Sequence, residues 1–288
     1  MDPPAEAPPR TGPIDRNREL LKLAREETYK MLGDTSLSAW MWMPETPAEQ
    51  AVPVVAFFYS SGWDHGQISQ FAPHCVYFAS RGMLAVAFDY RVSSRHGTGP
   101  LEAIEDAQDA VRWLRLNAAE LGINPSQIIG AGGTGGAHAI AAAALLAPPP
   151  DKRGVTAEDL AAVPDGLVLF NPVLDTSKKG YGMDRFPDPA SAKKHNLISL
   201  IRKKLPPTLI LHGASDRVVP VAGSRIYAKK ASRKRNICQL VEFGGVGHGF
   251  FNFNVSFAHY EATLVAMDDF LVSLGIIQPE NRLRDAES

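Results

Sequence analysis

Short runs of consecutive apolar residues alternate along this chain with longer segments whose apolar residues recur at helical spacing. Pro53–Tyr59 (PVVAFFY) and Met83–Tyr90 (MLAVAFDY) are runs of the first kind, as expected of strands covered on both faces. Gln127–Gly133, Gly166–Val173, Thr208–His212 and Cys238–Phe243 continue the series. Between them, helices are predicted at Gln67–Ser80, from Pro100 to about Glu120, over 135–147 and over Phe257–Leu274. Ile104, Ala107, Val111 and Leu114 form one stripe of the second of these, and Pro148, Pro149 and Pro150 stop the third. The rhythm upstream differs. Thr28–Leu32 and Leu37–Met43 predict two short strands joined by a Gly33-Asp34 turn. The second alternates, with Leu37, Ala39, Met41 and Met43 on one face and Trp40 and Trp42 on the other, a packing pattern. Before them, Asn17–Glu27 sets Leu20, Leu21, Leu23 and Ala24 among charges and predicts a short amphipathic helix.

Strand–helix alternation with apolar strands implies a mostly parallel sheet of eight strands with helices on both faces, its first two strands antiparallel. No internal repeat is present. The 288 residues suit one α/β domain over 15–276, preceded by a flexible Pro-rich tail (1–14) and followed by a polar tail (277–288). Residues 148–165 and 174–207 are the long connections. They are where a cap or pocket wall belongs, unless they are plain surface excursions.

Composition changes this picture little. The chain is 45% hydrophobic and 21% charged, with thirty basic residues against thirty-one acidic ones. That balance supplies no electrostatic reason to expect nucleic acid or an anionic membrane as partner. No run approaches the ~20 apolar residues of a membrane span, and no apolar segment of signal-peptide type opens the chain. A soluble cytoplasmic protein is the expectation, with secretion left open should the N-terminus be truncated. Cys75 and Cys238, each in an apolar run, read as reduced thiols, with neither metal-site spacing nor a disulfide framework.

The chemistry concentrates at three strand ends. Gly132-Gly133-Thr134-Gly135-Gly136 follows a strand and opens a helix, the context of a G-x-S-x-G nucleophile elbow with threonine at its centre. A Gly-rich strand-to-helix turn can also cradle phosphate, but no Walker lysine follows and G-x-G-x-x-G fits only loosely. Asp216, in Leu211–Asp216, follows a buried strand and is the candidate acid. His248, in Gly244–Phe250, follows the last strand and is the candidate base. Nucleophile, acid, histidine is the chain order of an α/β hydrolase. Tyr59-Ser60-Ser61-Gly62-Trp63 ends an earlier strand, where such enzymes carry oxyanion donors, often as His-Gly-Gly-Gly. The expected donors are the backbone N–H groups of Ser61, Gly62 and Gly135, and Trp63 and Phe250 are expected in the pocket wall.

The chain resembles the hormone-sensitive-lipase-like branch of the α/β hydrolases, near acetyl-esterase and feruloyl-esterase-like proteins. The matching stretches are Phe58–Trp63, Asp89-Tyr90-Arg91, Glu105-Asp106 with Ala110 and Trp113, Gly132–Gly136 with His138, Asn171–Asp175, Leu211–Asp216 and Gly247–Phe250. They span roughly residues 25–275. The resemblance implies the α/β-hydrolase fold and hydrolysis of small acyl esters through an acyl-enzyme, without a cofactor or metal. Its departures are Thr134 and Tyr59–Ser61. A β-branched residue at the positive φ of an elbow is strained by about 1–3 kcal/mol, and its methyl must fit beside the acyl carbon. Two readings follow: an esterase using Thr134, slow or unusual, and a catalytically silent relative that binds a ligand or partner. Ser60 or Ser61 as a substitute nucleophile is a third idea. Acyl and alcohol specificity and oligomeric state are not legible.

Overall fold

The computed structural model describes residues 13–44 and 50–279. Eight strands form one sheet: β1 (Arg25–Leu32), β2 (Thr35–Trp42), β3 (Val52–Ser61), β4 (Leu84–Phe88), β5 (Ile123–Gly133), β6 (Gly166–Phe170), β7 (Thr208–Gly213) and β8 (Cys238–Phe243). Their order is β1-β2-β4-β3-β5-β6-β7-β8. β1 pairs antiparallel with β2, β2 antiparallel with β4, and every other pairing is parallel. The predicted turn at Gly33-Asp34 closes the first hairpin, where Leu32 faces Thr35.

The helices are α1 (Pro13–Leu21), α2 (Ala72–Ser80), α3 (Pro100–Leu116), α4 (Thr134–Leu146), α5 (Val221–Arg233) and α6 (Phe257–Ser273), with shorter turns between them. α3, α4 and α5 contribute to the core on one side of the sheet. α2 and α6 build the core on the other. β3 shows why its run is continuously apolar: Val54, Ala56 and Phe58 enter the first core, Val55 and Phe57 the second. Leu37, Ala39 and Met41 are buried as their alternation predicts, whereas Met43, past the end of β2, is exposed.

The N-terminal expectations need correction. The amphipathic helix starts at Pro13 and stops at Leu21, because the chain from Arg25 is drawn into the sheet opposite Met41. Pro13 suits a first helical position, where its missing N–H removes no helical bond. Two residues of the expected tail therefore lie in α1; residues 1–12 and 280–288 fall outside the described residues. Cys75 is buried, Cys238 half-buried, and both are free thiols. No helix among the described residues is long and apolar enough to cross a membrane.

The chain runs from β3 outward to β4 and then crosses back to β5, so β3 and β5 lie side by side with connections diverging. Such a switch point opens a crevice beyond the strands' C-terminal ends, where open α/β sheets place ligands.

Candidate active site

Thr134 stands at that crevice, as the first residue of α4 directly after β5, with φ = 51°. The glycines around it are required by the backbone. A Cβ on Gly132 would come within 2.9 Å of the Gly136 carbon, the Ala137 nitrogen and the Phe58 carbonyl oxygen. A Cβ on Gly136 would overlap the carbonyl oxygens of Tyr59 and Phe58. The elbow is thus wedged against the end of β3, and Ser61 forms a parallel bridge with Thr134. Val173 N–H donates to the Thr134 carbonyl at 3.2 Å, which ties the loop after β6 to the same turn.

The three sequence candidates come together. Thr134 Oγ1 lies 2.8 Å from His248 Nε2, and His248 Nδ1 lies 2.7 Å from Asp216 Oδ2. An ionised carboxylate only accepts, so Nδ1 carries the imidazole proton and Nε2 is left to accept from the threonine hydroxyl. Asp216 is held from several sides. Its Oδ1 accepts from the N–H groups of Val218 at 2.8 Å and Val219 at 3.0 Å. His212 Nε2 donates to the Val219 carbonyl at 3.0 Å and reaches Asp216 Oδ2 at 3.4 Å, while its Nδ1 accepts from Ser224 Oγ at 2.8 Å. Burial pushes the Asp216 carboxyl up, but bonds from His212, His248 and Val219 outweigh it and hold the group well below the usual carboxylate range.

His212 was not singled out from sequence. Its signal was its place four residues before Asp216 at a strand end. Asn171 was likewise missed in role: its Oδ1 accepts from Gly213 N–H at 2.9 Å and steadies the turn that launches the Asp216 loop. Gln70 and Asn252 carried no signal. Gln70 Oε1 accepts from Ser60 N–H at 2.5 Å, its Nε2 donates to Asn252 Oδ1 at 2.7 Å, and Asn252 Nδ2 donates to the Gly249 carbonyl at 2.8 Å. This chain of bonds joins the end of β3 to the histidine loop.

The residues expected to bind an oxyanion sit around the elbow. Gly135 is the second residue of α4, so its N–H has no partner within the helix. Gly62 lies under the Tyr181 hydroxyl, where a Cβ would overlap it. Ser61 turns its side chain away, its hydroxyl bonding Tyr90 at 2.7 Å and accepting from Trp63 N–H at 3.0 Å. Ser60 instead faces the site, with Oγ 2.5 Å from Thr134 Oγ1.

Trp63 is 1% exposed, packed edge-on to His138 and Phe186 and covered by Tyr181. Tyr181, Gly182 and Phe186 show that the connection from residue 174 onward roofs this side of the site. A cavity of about 150 Å³ opens among Leu174, Tyr181, Val219 and Pro220. Phe250, expected in the pocket wall, is corrected to a core residue: 2% exposed, it packs on Phe243, Phe251 and His259 on the α6 side of the sheet. The Gly249 turn at φ = 79° sends it inward while His248 points to the elbow. The other long connection, 148–165, lines a cavity of about 620 Å³ with Arg115, Arg202 and Pro206, beside the N-terminal ends of β5–β7 and away from the three residues. Among the described residues, no group of three or more His, Cys, Asp or Glu is placed to hold a metal ion.

An eight-stranded, mostly parallel sheet with hydroxyl, carboxylate and imidazole at its strand ends in this chain order defines an α/β hydrolase. Comparison with known proteins narrows the class. Residues 41–153 match the BD-FAE family model. Esterase LipC of Mycobacterium tuberculosis (strain ATCC 25618 / H37Rv) is 27% identical over 228 residues, 72% of this chain and 54% of its own length. The native structure of Est2, a thermophilic esterase from Thermogutta terrifontis, superimposes with a TM-score of 0.82 and 34% identity, covering 91% of this chain and 96% of that one. The same esterase phosphorylated by paraoxon gives 0.81 and 35% over 90% and 97%. It has also been solved bound to propionate and to butyrate. The chain belongs to the hormone-sensitive-lipase-like esterase branch of the α/β-hydrolase family. It spans about half the length of the curated relative LipC.

Proposed function

We propose that the protein is a carboxylic ester hydrolase acting on small acyl esters, with Thr134 as nucleophile, His248 as general base and Asp216 as its orienting acid. The observation that carries this reading is the unbroken line of hydrogen bonds from Thr134 Oγ1 to His248 at 2.8 Å and from His248 to Asp216 at 2.7 Å. Thr134 Oγ1 attacks the ester carbonyl and its proton passes to His248 Nε2. Asp216, ionised and held by His212 and the loop N–H groups, stabilises the imidazolium. The carbonyl oxygen takes up the electron pair and is bound by the N–H groups of Ser61, Gly62 and Gly135. Collapse expels the alcohol, which leaves with the proton from His248. Water then attacks the acyl-threonine by the same steps in reverse.

A short acyl group is favoured by the propionate and butyrate held by the Thermogutta esterase. The reading of a catalytically silent relative gains nothing from the site, whose donors and acceptors are all matched along the line. The test is hydrolysis of p-nitrophenyl butyrate together with paraoxon labelling mapped by mass spectrometry. The expected label is on Thr134, and Thr134→Ala should lose both label and turnover. Turnover unchanged in Thr134→Ala would overturn the assignment.

A further inference from the structure

The two departures that bear on the nucleophile, Ser60 and Thr134, lie 74 positions apart and touch, with their hydroxyl oxygens 2.5 Å from each other. The direction of that bond follows from the rest of the site. His248 Nδ1–H donates to the Asp216 carboxylate, so Nε2 accepts, and Thr134 commits its single O–H there. Between the two hydroxyls the donor is then Ser60.

A threonine nucleophile has a difficulty that serine lacks. Its oxygen and methyl occupy different staggered wells of χ1, and a turn of about 120° would bring the methyl toward His248 in place of the oxygen. A fixed donor beside Oγ1 favours the productive well. Ser60 is itself fixed by other bonds, since its N–H is held by Gln70, which reaches through Asn252 to the carbonyl beside His248. That frame does not depend on the Ser60 hydroxyl.

We propose that Ser60 is a catalytic hydroxyl matched to the threonine: it holds Oγ1 toward His248 at rest and stays bonded to that oxygen as it attacks. The inference rests on the reading that Thr134 is the nucleophile. As Oγ1 bonds to the carbonyl carbon, the threonine proton moves to His248 Nε2 and the carbonyl electron pair moves to its oxygen. Ser60 keeps its proton throughout and only orients Oγ1, which ends as the bridging ester oxygen while the negative charge lies on the former carbonyl oxygen.

The test compares Ser60→Ala in two backgrounds, wild type and Thr134→Ser, by steady-state hydrolysis of p-nitrophenyl butyrate. In the wild-type background kcat should fall by roughly ten- to a hundredfold with KM nearly unchanged. In the Thr134→Ser background the loss should be no more than about threefold, because serine has no methyl to misplace, and the two changes are then strongly non-additive. Ser60→Gly, which has no side chain to fit, should repeat the result, and it decides the matter should Ser60→Ala melt early. Equal losses in both backgrounds, or no loss in either, would overturn the role. Thr134→Ala keeps the two readings apart: if it is dead while Ser60→Ala is fully active, only the Ser60 proposal falls. Paraoxon on Ser60 in place of Thr134 would sink both.

Discussion

Thr134→Ser is the perturbation that asks most of this site. The wild-type residue is β-branched, 2% exposed and held at φ = 51°, a backbone region costing such residues about 1–3 kcal/mol. Serine stays at the same φ but loses the branch, so about 1 kcal/mol of that cost should be recovered, raising Tm by roughly 2–4 °C for a domain near this size. Both hydrogen bonds of the hydroxyl, to His248 at 2.8 Å and from Ser60 at 2.5 Å, can be kept. Strain common to resting enzyme and transition state does not change kcat. The methyl, however, crowds the acyl carbon only once the oxygen attacks. Relief of about 1.4–2.7 kcal/mol there corresponds to a ten- to hundredfold gain. The assay is kcat/KM on p-nitrophenyl butyrate alongside a thermal melt. The gain should vanish in Thr134→Ser with His248→Ala, because the new serine has no base. A Thr134→Ser protein with wild-type Tm and wild-type rate would refute the strain and the crowding together.

Three further outcomes are expected. Asp216→Asn should lower kcat by about 10⁴-fold, because an amide no longer enforces the Nδ1–H tautomer of His248. Since the folded carboxyl titrates below its unfolded value of about 3.9, its stabilisation is full above that pH and lost as pH falls. Melts between pH 5 and 3 should therefore decline less steeply in the variant than in wild type. His74 is buried among Phe57, Phe71, Phe170 and Tyr260 with neither ring nitrogen bonded, and burial pulls it down to about 3. The unfolded chain takes up that proton below about 6.5, so this contribution is full above 6.5 and drains as pH falls toward 3. His74→Leu should raise Tm at pH 5 more than at pH 7.5, and an equal effect at both would contradict the neutral, unbonded histidine. Gly136→Ala should destabilise by about 3 kcal/mol or more, read by urea unfolding, because its Cβ meets backbone oxygens of β3 that cannot step aside.

Much of this molecule was written in local pattern. Strands buried on both faces must be apolar throughout, so PVVAFFY and MLAVAFDY announced a covered parallel sheet. An elbow with no room for side chains two residues either side of its centre must read Gly132-x-Thr134-x-Gly136. The chain order of Thr134, Asp216 and His248 followed from the same logic, since each sits at the end of a strand whose run was legible. What stayed hidden depends on where residues distant in sequence meet. Leu20, Leu21, Leu23 and Ala24 suit a helix at either of two placements, and pairing of Arg25 with Met41 decided where it stopped. Phe250 and His248 share one Gly-rich run, and only the Gly249 turn sends one ring to the core and the other to the elbow. Ser60 and Ser61 are adjacent and alike, yet alternation at the strand end turns one hydroxyl to Tyr90 and the other to Thr134. The Gln70–Asn252 tie joins two loops 182 positions apart. Hydrophobic periodicity reports which face a residue takes, because burial acts on each segment alone. A hydrogen-bond partner is selected by distance and direction across the fold, and no segment carries that by itself.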